Sequence, residues 1–226
     1  MNIRIVFRVL GMVLICEALF MLPSLAVSIY YKGDDIAAFA LSILITAAVG
    51  ILLTYIRADK DDMYARDSFA IVALGWILLS FFGSLPFVIS GAIPAFIDAF
   101  FEASSGFTTT GASILKEIEG LPRGILFWRS FTHWVGGMGV IVLTLAILPS
   151  IGAGGLQMMK AESPGPAPGK IVPKVAETAK ILYGIYIMIT AMEILLLKTA
   201  GLPFFDSAVH TFGTVGTGGF SNMNTS

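Results

Sequence analysis

The chain has 226 residues, of which 56% are hydrophobic and only 13% charged, with a mean hydropathy of +0.86. A soluble domain carries about 25% charged residues, so the composition indicates an integral membrane protein and excludes a disordered one. The net charge of −1 excludes nucleic-acid binding driven by bulk charge, and the single cysteine, Cys16, excludes an internal disulfide or a cysteine-rich metal site.

A spanning helix needs roughly 20 predominantly apolar residues. In chain order, five stretches qualify: 5–31, 36–56, 69–90, 125–151 and 179–200. In the first, Arg4 and Arg8 come before the apolar run, as basic residues do in a secretory signal. It is too long for one, contains Glu17, and leads directly into a second span. Two further apolar segments, 94–107 and 203–213, are too short to span. Each runs into a Gly/Thr/Ser tract, the pattern of a re-entrant segment. Between the fourth and fifth spans, 152–174 is rich in Gly and Pro and reads as a cytoplasmic linker. With the N-terminus inside, nine Lys and Arg lie in inner loops (4, 8, 57, 60, 66, 160, 170, 174 and 180) and four in outer loops (32, 116, 123 and 198). This asymmetry supports a cytoplasmic N-terminus and places both Gly/Thr tracts in the outer half of the membrane.

The short segments superpose without a gap at an offset of 108 residues. Phe96 falls on Phe204, Asp98 on Asp206, Thr109 on Thr217, Gly111 on Gly219, and Ser113 on Ser221. The preceding spans superpose as well, Phe69–Ser90 on Glu177–Lys198. Internal repeats are a signature of transporter and channel architecture. The implied fold is an all-α integral membrane protein of repeated span–pore helix–filter loop–span units, preceded by two extra transmembrane helices. Its parts are 1–62 (the two extra helices), 63–151 (the first repeat), 152–174 (the linker) and 175–226 (a second repeat, truncated after its loop).

Bare backbone at membrane depth is tolerated only against protein or water. In the tracts 108–113 and 214–221, glycine lets carbonyls turn toward a common axis. Threonine adds hydroxyl oxygens, and rings of such oxygens can replace the water shell of a K+ ion. The short helix ahead of each tract directs its negative C-terminal end at the ion. Asp98 and Asp206, near the starts of those helices, are favourable N-terminal charges or form an outer vestibule that attracts cations. Glu17, Glu102, Arg129, His133, Glu193 and His210 are read as helix-packing hydrogen-bond groups, with Arg129 also placed to snorkel outward. Gly136, Gly137 and Gly139 are read as sites of close packing or a bend. No helical spacing brings a nucleophile, base and orienting acid together around His133 or His210, so an enzyme is the poorer reading.

The tract Phe101-Glu-Ala-Ser-Ser-Gly-Phe-Thr-Thr-Thr-Gly-Ala-Ser113 closely resembles the first pore loop of the Trk-type potassium transporters, TrkH-type subunits above all. Thr214-Val-Gly-Thr-Gly-Gly-Phe-Ser221 resembles their second pore loop, and Arg129-Ser-Phe-Thr-His-Trp-Val-Gly-Gly-Met-Gly139 the span after the first. Glu162-Ser-Pro-Gly-Pro166 and Ala176-Glu-Thr-Ala-Lys180 resemble the linker and the start of the next repeat. The resemblance implies K+ uptake across the inner membrane through four such repeats around one pore. No cofactor is expected; K+ is the transported ion. The implied partners are a second copy, forming a homodimer, and a cytoplasmic TrkA-like ring of nucleotide-binding subunits. Thr109, Thr110, Gly111, Ala112, Thr217, Gly218, Gly219 and Phe220 match filter positions whose backbone oxygens face the ion. In the family's plant relatives, serine at the first filter glycine favours Na+; the glycine at 111 here implies K+. The departure is length. With two of four repeats, the chain is expected to be about half of a family member, or else a non-conducting or partner-dependent membrane subunit.

Overall fold

The computed structural model describes residues 3–56, 65–139 and 175–224, in which helices are joined by turns and loops, with no strand among the described residues. Among the described residues, four helical stretches are long and apolar enough to cross a membrane: Ile3–Tyr31, Ile36–Thr54, Phe69–Ile89 and Lys180–Thr199. The expected linker at 152–174, and the expected domain boundaries at 62/63, 151/152 and 174/175, lie outside the described residues.

Helix α1 (Ile3–Tyr31) and helix α2 (Ile36–Thr54) form a hairpin. They cross closely at Gly11 and Gly50, where a Cβ on Gly11 would lie 2.6 Å from the Gly50 carbonyl oxygen. Small residues at such a crossing let two backbones approach where lipid supplies no hydrophobic drive. The hairpin turns through Lys32, at a φ of 53°, and closes with the Gly33 N–H donating to the Ser28 carbonyl at 2.9 Å.

The third span is interrupted. Helix α3 (Ala65–Gly83) gives way at Ser84 to the short helix α4 (Leu85–Ile89). Pro86 has no N–H to return to the preceding turn. The Phe87 N–H then bonds Ser84 at 3.1 Å, and the Gly83 carbonyl accepts the Trp128 indole N–H at 2.9 Å. The repeat-related helix, numbered α7 below, has Ala191, Met192 and Ile194 where α3 and α4 have Gly83, Ser84 and Pro86. It runs unbroken.

Helix α5 (Phe96–Phe107) is the first short segment, and helix α6 (Arg123–Gly137) follows it. The expected span 125–151 is described only to 139. Its helix starts two residues early, at Arg123, and ends at the cap Met138; 140–151 lie outside the described residues. Helix α7 (Val175–Thr199) and helix α8 (Phe204–Val215) form the second repeat. The bounds of α5, shifted by 108 residues, are those of α8.

The core lies where α1, α3, α4, α5, α6 and α8 meet, built from Phe87, Phe107, Trp128, Phe131 and Phe212. Phe107 meets Trp128 edge-on at 6.0 Å, and Phe131 meets Phe212 at 5.2 Å. Helix α7 is different: only 6% of its spanning window is buried, and it touches α6 chiefly through Tyr186, Thr190 and Trp134.

Candidate ion-filter site

Both short helices end in the same way. At α5, the N–H groups of Thr109 and Thr110 donate to the carbonyls of Gly106 (3.0 Å) and Ser105 (2.9 Å). At α8, those of Thr217 and Gly218 donate to Thr214 (2.9 Å) and Gly213 (3.0 Å). This is a Schellman closure with a left-handed residue just past the helix. Glycine usually fills that position, but here it is threonine twice, with φ of 55° at Thr109 and 63° at Thr217. A left-handed β-branched residue costs roughly 1–2 kcal/mol. Two residues on, Gly111 and Gly219 are left-handed again, at 74° and 80°. The turn that follows also repeats: Leu115 N–H donates to Ser113 Oγ at 3.1 Å, and Met223 N–H to Ser221 Oγ at 2.9 Å. Left-handed residues at alternate positions turn carbonyls that would face opposite sides of an extended strand toward one side.

The two loops are neighbours. A Cβ on Gly111 would collide with the Gly218 carbonyl oxygen, so the first loop passes directly against the second. Of the residues singled out in sequence, Thr109–Ala112 and Thr217–Phe220 are therefore brought together, in two strands. Gly219, in contrast, has nothing within 4 Å of its Cβ direction.

Helix α6 stands behind both loops. A Cβ on Gly136 would strike the backbone of Phe107 at the end of α5, and one on Gly137 would lie 2.9 Å from the Cα of Gly216 at the end of α8. Two short-helix ends thus dock side by side on one glycine pair. Gly139 ends the described part of this segment with a φ of 66°.

The polar groups on α6 hold the loops by two different devices. Glu102, fully buried in α5, accepts from Arg129 Nε (2.6 Å), from Ser113 Oγ (2.9 Å) and from the Ile114 N–H (2.9 Å). Arg129 also donates from Nη1 to the Ser221 carbonyl at 2.9 Å. Its guanidinium lies 3.6 Å from the Phe220 ring centroid. One turn on, His133 stacks on the same ring at 4.0 Å and 24°. Two planar groups so near one centroid cannot share a face, so Phe220 is sandwiched between them. The snorkelling expectation for Arg129 is overturned: it is 2% exposed and points inward, because the Glu102 carboxylate offsets the solvation that its guanidinium loses on leaving water. The first loop carries Ala112 where the second has Phe220, and the second repeat carries His210 where the first has Glu102. The two loops share a backbone shape but not a means of support.

Asp98 is half-buried in the first turn of α5. Asp206, in the first turn of α8, accepts from Asn222 Nδ2 and lies 3.7 Å from Arg123. Arg123 also sits over the rings of Phe205 and Tyr31. The loops continue to touch further along: Ile118 N–H donates to Asn224 Oδ1 at 3.0 Å, and Asn224 N–H to Glu119 at 3.1 Å. The Arg129–Glu102 pair and the Phe220 sandwich were not singled out as such from the sequence. The i, i+4 spacing of Arg129 and His133 was the available signal, but their partners lie on other helices.

The family model described as "TrkH: Cation transport protein" matches residues 35–226. The chain is similar to the Trk system potassium uptake protein TrkH of Salmonella typhimurium, at 42% identity over all of this chain and 47% of that protein. It is 41% identical to that of Escherichia coli K12, with the same shares covered. The crystal structure of the potassium transporter TrkH from Vibrio parahaemolyticus superposes with a TM-score of 0.82 at 36% identity, over 100% of this chain and 46% of that one. The chain thus spans about half the length of the curated relatives it matches. With its repeated helix–loop units and its apolar spans, this multi-pass membrane chain belongs to the TrkH cation transport family.

Proposed function

We propose that the chain supplies two adjacent filter strands to a K+-uptake pore. Backbone oxygens of Thr109, Thr110, Gly111 and Ala112, and of Thr217, Gly218, Gly219 and Phe220, coordinate the ion. The observation that carries this reading is the repeated backbone: left-handed residues at 109 and 111 recur at 217 and 219, in loops that touch at Gly111 and Gly218. Two strained threonines in equivalent places need a compensating role, and aiming carbonyls at a cation is one. The negative ends of α5 and α8 add to the attraction. The relatives' names, potassium uptake proteins, support K+ as the ion.

The finer reading extends to the intact protein. It sits in the inner membrane with a cytoplasmic N-terminus, supported by the nine-to-four Lys/Arg asymmetry. It works as a homodimer gated by a cytoplasmic TrkA-like nucleotide-binding ring, supported by the family resemblance. Residues 1–62 are an accessory hairpin, 63–151 and 175–226 the repeats, and 152–174 the linker. Asp98 adds negative charge at the outer mouth, while Asp206 is engaged by Asn222 and Arg123 and braces the start of α8.

Gly219→Ser tests the filter assignment. The site has room for a side chain, so the substitution acts through the left-handed backbone rather than through a collision. In liposome flux assays on the intact protein, the ratio of K+ to Na+ transport is expected to fall. An unchanged ratio would sink the assignment.

A further inference from the structure

Three contacts press His133 against the second loop. Its ring stacks on Phe220, its Nδ1 accepts the Phe220 N–H at 3.4 Å, and its ring fills the space a Cβ would need at Gly218. The side chain is fully buried. A neutral imidazole has one bare nitrogen and one N–H. Accepting from Phe220 requires Nδ1 to be the bare one, with the proton on Nε2.

The Phe220 N–H belongs to the same peptide group as the Gly219 carbonyl. In a planar trans peptide the two point in opposite directions. An N–H turned back into α6 therefore turns the Gly219 oxygen away from α6. The Cβ direction of Gly219 is open. A purely space-filling ring would pack on Phe220 equally well, but would leave its N–H buried without an acceptor. Phe220 is 3% exposed, so water cannot easily replace the imidazole.

We propose that His133 is a positioning residue for ion selection: its Nδ1 pins the peptide between Gly219 and Phe220 so that the Gly219 oxygen faces the ion path. The inference rests on the pore reading above and adds to it a residue outside the filter strands. It also gives a reason for a histidine where an apolar ring would fill the same space.

Two variants of the intact protein in liposomes test it. His133→Phe keeps a ring to stack on Phe220 and removes the acceptor; the K+/Na+ transport ratio is expected to fall about tenfold, the scale set by one unsatisfied buried donor. His133→Asn keeps an acceptor near the Nδ1 position and is expected to hold the ratio within about twofold of wild type. A wild-type ratio in His133→Phe overturns the proposal, as does an equal loss in both variants. If His133→Phe does not reach the membrane folded, 15N NMR of labelled histidine, assigned against His133→Asn, decides the matter. A bare Nδ1 with Nε2 protonated supports the proposal, and the opposite tautomer overturns it. Wild-type protein that passes K+ and Na+ equally contradicts the pore reading itself, whichever tautomer is found.

Discussion

Arg129 carries more of the site than any other single side chain. It joins Glu102 of the first repeat to Ser221 and Phe220 of the second. A buried ion pair is weak evidence for stability, since both charges lose their water, but breaking one is costly because the survivor is stranded. Arg129→Met leaves the buried Glu102 carboxylate without its charge partner, held only by the Ser113 hydroxyl and the Ile114 N–H. It is expected to cost about 3–5 kcal/mol, read as a lower thermal midpoint of the detergent-solubilised intact protein. Removing both charges, in Glu102→Leu with Arg129→Met, is expected to recover most of that stability. It is not expected to recover K+ preference, because Ser113, Ile114 and Ser221 then lose the groups that hold them. A double variant no more stable than the single one would show that the pair is not coupled. The pairing was not legible in the sequence. Glu102 and Arg129 are 27 residues apart on different helices, and the repeat misleads here, because the counterpart of Glu102 is His210.

At the scale of elements, the short helices were the most legible part. The offset of 108 that aligned their sequences also aligns their ends, caps and loop backbones. Elements without that internal copy were harder to read. The break between α3 and α4 follows from Pro86, which an apolar-span reading passes over because Pro barely lowers hydropathy. The start of α6 is set from outside its own segment. Asp35 occupies the N-cap position of α2 but makes no cap bond there; its Oδ2 accepts the N–H of Ile125, the third residue of α6, at 3.1 Å. The packing around Gly124, against Ser28, Asp35 and Phe39, leaves no room for a Cβ. The accessory hairpin therefore caps the helix on which both loops rest. Asp35→Ala is expected to lower stability by about 1 kcal/mol, the usual worth of a cap, while leaving K+ over Na+ preference intact. Asp35→Asn, which keeps an acceptor oxygen, is expected to lose less. Thermal melts and flux ratios on the two variants check both statements; a change in selectivity without loss of stability would contradict the capping role.

For the whole molecule, the arrangement is a hairpin and two repeats gathered around α6. The first repeat is well enclosed, with Phe107 and Trp128 fully buried, whereas α7 keeps Ile185, Met188, Met192 and Leu195 exposed. Composition and span length were enough to give a multi-pass membrane protein, because lipid imposes length and apolarity on each span separately. They could not give the closeness of the loops, since Gly111 meets Gly218 only after α5, α6 and α8 have packed. That closeness underlies the central claim, that strands 109–112 and 217–220 jointly coordinate a monovalent cation. The most direct measurement is anomalous diffraction from crystals of the intact protein grown in Rb+, which substitutes for K+ at oxygen-lined sites. The expected result is an anomalous peak bounded by the carbonyl oxygens of Thr109, Thr110 and Gly111 and those of Thr217, Gly218 and Gly219. Bound Rb+ found elsewhere, with these two loops making no contact to it, would contradict the account.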